Sequence, residues 1–171
     1  LRNLGSRIEE KFILTRNEKK YIEDYLVTVQ YWCYYDLSLY GNVIDIFDAK
    51  SIKNLSNMVI ERASYFKSIP ENKKLIAQVL MNTVSELLNK DERDEAIRFH
   101  KLVEGLLEET DIFSRTVSYF LAGEIEYYGG MSSGKEKMED AIGIFETVGS
   151  DRLASQYRED YEELLEKFEK S

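Results

Sequence analysis

Apolar residues return every three or four positions through most of this chain, and that single periodicity restricts it to packed helices. The run Ile52, Leu55, Val59, Ile60, Ala63, Phe66 is one instance, and Ala96, Phe99, Val103, Leu106, Leu107 is another. With one proline and nine glycines in 171 residues, little of the chain is left for linkers or for a turn-rich β fold. The expected class is all-α.

Seven helical segments can be placed. The first spans about 18–40, with Ile22, Leu26, Val29, Cys33 and Leu37 on one face and Tyr21, Tyr25, Trp32 and Tyr35 on the next. The stretch from Tyr31 to Asn42 is aromatic on so many sides that a helix wedged between neighbours, ending at Gly41-Asn42, is expected. A second helix, about 49–67, starts after the cap residue Asp48. A third, about 70–89, has Pro70 in its first turn, where the missing N–H costs nothing. The remaining four are expected at about 92–109, 111–128, 134–148 and 151–169, with Gly129-Gly130 and Gly149 as stops. Short connections between them predict antiparallel hairpins.

The hairpins repeat. At an offset of 45 positions, Ala96-Ile97 with Phe99 aligns with Ala141-Ile142 with Ile144, and Leu75-Ile76-Ala77 with Leu80 aligns with Phe120-Leu121-Ala122 with Ile125. Small residues at matched positions suit close helix crossings. A superhelical array of stacked hairpins is expected, an irregular bundle being the alternative.

Charge and composition exclude several functions. Thirty-two acidic against 23 basic residues give a net charge of −9, which argues against phosphate-backbone binding by this segment. The single cysteine, Cys33, cannot form an intrachain disulfide; it lies among apolar residues and is expected to be a buried thiol. One histidine, His100, rules out multi-histidine metal sites, and its place beside Phe99 and Val103 suggests an interhelix hydrogen bond. Gly129 to Lys135 has the wrong glycine spacing for a phosphate loop. No catalytic, metal or cofactor site is expected, nor a membrane span, and a cytoplasmic setting fits. The chain starts at Leu1 without an initiator Met, so a missing upstream region is also expected.

In a right-handed hairpin array the first helix of each pair lines the concave side, so polar residues of the third, fifth and seventh helices are the ligand-facing candidates. On the third these are Lys74, Gln78, Asn82, Ser85 and Asn89, and on the fifth Arg115, Ser118, Tyr119, Ala122 and Glu126. The Asn82 carboxamide can pair with both the N–H and the C=O of an extended peptide whatever its side chains, or it can bridge to a neighbouring helix. Arg115 can hold a carboxylate bidentately, or stay a solvated surface residue. Tyr119 can pack an apolar side chain. Trp32, Tyr35 and Tyr40 read as packing, because no Lys or Arg alternates with them as a base-stacking groove demands. Tyr127-Tyr128 is expected to close a hairpin or to shape one end of a pocket.

The run from Trp32 through Tyr35 to Leu39-Tyr40-Gly41-Asn42, the Asn82 of the third helix, Arg115 to Phe120, and Gly130-Met131 through Gly134 and Met138 to Ala141-Ile142 and Phe145 resemble the C-terminal domain of the Rgg/GadR/MutR family of transcriptional regulators. The resemblance covers nearly the whole chain. It implies a tetratricopeptide-related superhelix that binds a short pheromone peptide on its concave face, forms a homodimer, and controls a helix-turn-helix domain lying upstream of and absent from this chain. Asn82 and Arg115 are the positions carried over as peptide contacts, with Gln78 and Tyr119 added from helical geometry. A dimer contact is expected at the last helix, through Tyr157, Tyr161, Leu164 and Phe168. A protein–protein interaction scaffold without a peptide ligand is the competing reading.

Overall fold

The computed structural model describes residues 14–63 and 70–169, and every regular element among them is helical. The helices are α1 (Arg16–Thr28), α2 (Tyr34–Val43), α3 (Ala49–Arg62), α4 (Pro70–Asn89), α5 (Arg93–Glu104), α6 (Ile112–Tyr128), α7 (Ser133–Thr147) and α8 (Asp151–Glu169). A 3₁₀ turn, Ile44–Ile46, continues α2. The chain divides into two compact units, Leu1–Glu108 and Glu109–Ser171.

The expected first helix is two helices. It breaks after Thr28, Val29 is extended, and α2 restarts behind Cys33. Three signals favour the break. Val27-Thr28-Val29 is a β-branched run, which weakens a helix. Asp36 then accepts the backbone N–H of Cys33 at 2.9 Å, supplying the restarted helix with a cap. Finally, the Arg62 guanidinium of α3 reaches the carbonyls of Val27 and Val29, which the break leaves without helical donors.

The aromatic stretch is also less enclosed than its composition suggested. Trp32 and Tyr40 are fully buried, edge to face at 5.6 Å, but Tyr31, Tyr34 and Tyr35 are exposed. Cys33, expected to be buried, sits exposed at the start of α2. Gly41-Asn42 does not end the helix. Gly41 lies inside α2 where a Cβ would stand 3.2 Å from the Val79 side chain, so the glycine permits a close pass of α4.

In the first unit α4 packs against α2, α3 and α5, and this explains why it is buried on most sides, from Ile76 to Leu88. A chain of buried hydroxyls ties three of these helices together. Tyr40 of α2 donates to Ile52 O at 3.2 Å and lies 2.8 Å from Ser56 Oγ of α3; Ser56 lies 2.8 Å from Thr83 Oγ1 of α4, which donates to Val79 O. Each hydroxyl is satisfied inside the core, as burial requires. Helix α3 ends at Arg62, short of the expected 67, and Phe66 falls outside the described residues. Helix α5 likewise ends early, at Glu104 with Gly105 as its cap, rather than at 109.

The second unit packs α7 against both α6 and α8. At its centre, Phe120 of α6 meets Tyr157 of α8 edge to face at 4.9 Å, and Phe145 of α7 stacks on Tyr157 at 5.2 Å. Gly123 and Gly134 let α6 and α7 cross in contact: a Cβ on Gly123 would lie 2.8 Å from the Gly134 carbonyl oxygen. The glycine stops fall where expected, with Gly129 following α6 and with Gly130 and Gly149 at φ of 78° and 72°.

The 45-residue repeat relates the α4–α5 hairpin to the α6–α7 hairpin. Ala96 and Ala141 are both fully buried, and Ile76 and Leu80 are buried like their counterparts Leu121 and Ile125. The register is imperfect: Phe99 is fully buried, whereas Ile144 is 38% exposed and the neighbouring Phe145 takes the core position.

Candidate functional site

The four candidate peptide contacts fall into two pairs, each one helical turn apart on its own helix. Gln78 and Asn82 are half-buried on α4 in the first unit; Arg115 and Tyr119 are exposed on α6 in the second. Within each pair the side chains project from one stripe, since residues four apart share a helix face.

The stripe on α4 is narrower than expected. Ser85 is 3% exposed and belongs to the core, because α4 is flanked by three helices. Lys74 and Asn89 remain exposed. Asn82 donates from Nδ2 to the Gly41 carbonyl at 3.1 Å, which is the bridge to a neighbouring helix that its carboxamide allowed. Its Oδ1 accepts no hydrogen bond from the described residues and keeps an acceptor for another donor.

On α6, Ser118 is buried and drops out of the exposed stripe. Glu126 accepts from Lys137 Nζ and from Ser133 Oγ at 2.8 Å, and these two bonds hold its carboxyl below the usual carboxylate range. Tyr119 stands with its hydroxyl 3.5 Å from Asp140 Oδ2 of α7 and its ring 6.0 Å from Lys137 Nζ. Around it lies an open trough of about 620 Å³, lined by Tyr119, by Glu139, Asp140, Gly143, Ile144 and Thr147 of α7, and by Val148 at its C-terminal cap. The α7 side of this trough was not among the sequence candidates. The signal that could have found it is the mismatch in the repeat, where Ile144 stands in line with a core phenylalanine. A smaller hollow of about 250 Å³ between α3, α4 and α5 is lined by Ile60, Ile76, Leu80, Lys101, Leu102, Gly105 and Leu106 and contains none of the four candidates.

The residues expected at a dimer contact are largely used within the chain. Tyr157, Tyr161 and Leu164 are each under 9% exposed, and the Tyr161 hydroxyl donates to Glu139 Oε1 at 2.8 Å. Burial and that carboxylate push the Tyr161 phenol up to about 12. Phe168, 37% exposed, packs edge to face on both Tyr127 and Tyr128 at 4.9 and 5.0 Å. The apolar stripe of the last helix is therefore covered by α6 and α7, and the Tyr127-Tyr128 pair anchors its end. No group of three or more His, Cys, Asp or Glu side chains among the described residues could hold a metal ion, and His100 is buried on α5. No described helix is long and apolar enough to cross a membrane.

Comparison with known proteins places this geometry. The family described as the C-terminal domain of the HTH-type transcriptional regulator Rgg matches residues 3–159. Among solved structures, the SHP pheromone receptor Rgg2 of Streptococcus dysgalactiae is 26% identical, with a TM-score of 0.79 over 88% of this chain and 58% of its own. RopB is 19% identical with a TM-score of 0.74, covering 96% of this chain and 72% of its own, and RopB complexed with SIP gives a TM-score of 0.51. The chain thus spans little more than half the length of the Rgg2 chains it matches.

Proposed function

This chain belongs to the family of C-terminal domains of Rgg transcriptional regulators, and from that premise we propose that it is the regulatory domain of such a regulator, sensing a short hydrophobic signalling peptide and controlling an attached DNA-binding domain. The family is a regulatory one, and the chain is not an enzyme. The observation that carries the peptide reading is the likeness, at 26% identity over 88% of this chain, to a protein described as a pheromone receptor.

In this reading the hairpins stack as a right-handed, tetratricopeptide-like superhelix, and the peptide lies along its concave side. Gln78 and Asn82 serve the peptide backbone, Arg115 a carboxylate, and Tyr119 an apolar side chain. The free Oδ1 of Asn82 and the exposure of Arg115 and Tyr119 support these roles. Peptide binding then shifts the array, and a homodimer built on it, between two arrangements. Such coupling requires the peptide to bind the two with different affinities. With Tyr157, Tyr161 and Leu164 committed to the core, the dimer contact assigned to α8 rests on its outer edge and on Phe168. DNA is reached only through the helix-turn-helix domain, in the cytoplasm.

Isothermal titration of this domain and of the full-length protein against short hydrophobic peptides encoded beside its gene tests the reading. Micromolar or tighter binding is expected, weakened at least tenfold by Arg115→Ala and by Asn82→Ala. Because Asn82→Ala also removes the bond to Gly41, it is expected to lower stability by about 1 kcal/mol, so each variant's melting is measured alongside. Absence of binding to the full-length protein would replace the peptide receptor with a scaffold that works through protein partners.

A further inference from the structure

The trough beside Tyr119 has a distinct chemistry of its own, and the ligand class it selects rests on the peptide-receptor reading. Its apolar part is an unpartnered surface. Ile144 of α7 and Val148, four residues on at the cap of that helix, are 38% and 63% exposed, and Tyr119 beside them is 38% exposed. Between them lies Gly143, where an added Cβ would meet nothing within 4 Å, so the floor is open space.

The polar part has one sign. Among the described residues Asp140 has as its polar contact only the long approach of the Tyr119 hydroxyl at 3.5 Å, and Glu139 accepts from the neutral Tyr161 hydroxyl at 2.8 Å. Neither carboxylate has a cationic partner among the described residues. The nearby charges that could neutralise them are engaged elsewhere: Lys137 is paired with Glu126, and Arg158 of α8 with Glu146. The next cation on the face of α6 is Arg115, a full turn before Tyr119, and the chain as a whole carries −9. An aliphatic wall ending in two unneutralised carboxylates complements a side chain that is apolar along its stem and positive at its tip.

We propose that this trough is a specificity subsite that takes a lysine or arginine of the peptide ligand, with an adjoining aliphatic residue packed on Ile144 and Val148. The stem of the cation packs against the Tyr119 ring, and the ammonium or guanidinium sits between Asp140 and Glu139.

Retention of a random octapeptide library on the immobilised full-length protein, read by mass spectrometry of what elutes, tests it. Lysine and arginine next to isoleucine, leucine or valine are expected to be enriched about tenfold over aspartate and glutamate in the same setting. The enrichment should shrink as salt is raised. Asp140→Lys, at an exposed position that leaves the core untouched, should turn the preference toward acidic residues. Peptides retained with no preference for a cation, or a preference that Asp140→Lys leaves unchanged, would overturn the subsite while leaving the receptor standing. No peptide retained at all would sink the receptor reading and the subsite with it.

Discussion

Asp36 fixes the junction of α1 and α2 with two bonds, accepting from the Cys33 N–H at 2.9 Å and from the Tyr25 hydroxyl at 2.8 Å. Burial of Asp36 opposes its ionisation, but the hydrogen bonds from Cys33 and Tyr25 outweigh it and hold the carboxyl below the ordinary aspartate value. The same bond, with burial and the Asp36 charge, pushes Tyr25 from 10.0 up to about 12. The signs define a window. The Asp36 contribution is complete above its unfolded value and disappears as pH falls through the lower folded one. The Tyr25 contribution is complete below 10.0 and disappears as pH rises through about 12. Asp36→Asn is therefore expected to bring the Tyr25 phenol back toward 10.0, read as ultraviolet phenolate absorbance lost in a Tyr25→Phe control; an unmoved titration would show that Asp36 does not hold Tyr25. None of this was visible in the sequence, where Asp36 is one acidic residue inside an aromatic run. Its partner Tyr25 lies across a helix break that periodicity alone did not predict.

Helix existence was legible almost everywhere, because a 3.6-residue period survives any tertiary arrangement. What failed were the places where a partner decides. The first helix breaks at Val29 because Arg62, arriving from α3, satisfies the freed carbonyls. Gly41 reads as a stop but is an opening for α4, since the Val79 side chain would meet its Cβ. Gly134 belongs with it: the spacing places it at the start of the expected 134–148 helix, and the structure makes it the contact point of α6 and α7. A Cβ there would lie 2.6 Å from the Tyr127 backbone nitrogen and would press on the Gly123 carbonyl oxygen, both backbone atoms that cannot rotate away. Gly134→Ala is expected to destabilise the second unit by about 3 kcal/mol, at the upper end of overpacking costs. Denaturant unfolding followed by the circular dichroism of the helices checks this. A change under about 0.5 kcal/mol, the range of neutral surface substitutions, would mean that the crossing is looser than described.

At the scale of the molecule, charge makes the firmest statement. A net charge of −9 argues against phosphate-backbone binding by this segment. The 171-residue chain alone is expected to leave DNA unretarded in a mobility shift assay at any salt, with retardation appearing only when a helix-turn-helix domain is joined to it. Retardation by this chain alone, lost steeply with salt, would contradict the assignment of DNA contact to an attached domain. The sequence by itself determined the helical class, the hairpin repeat at 45 residues and the glycine stops after α6 and α7, because each depends on residue spacing along the chain, and its motifs carried the family resemblance. Only the tertiary structure decided which side of each helix is free. Ser85 and Ser118 were withdrawn into the core, Tyr157, Tyr161 and Leu164 were spent on α6 and α7, and Ile144 was left in the open beside Asp140. The physical reason is that a polar or apolar stripe has no fixed environment until neighbouring helices cover it, and which neighbours those are is a property of packing rather than of periodicity.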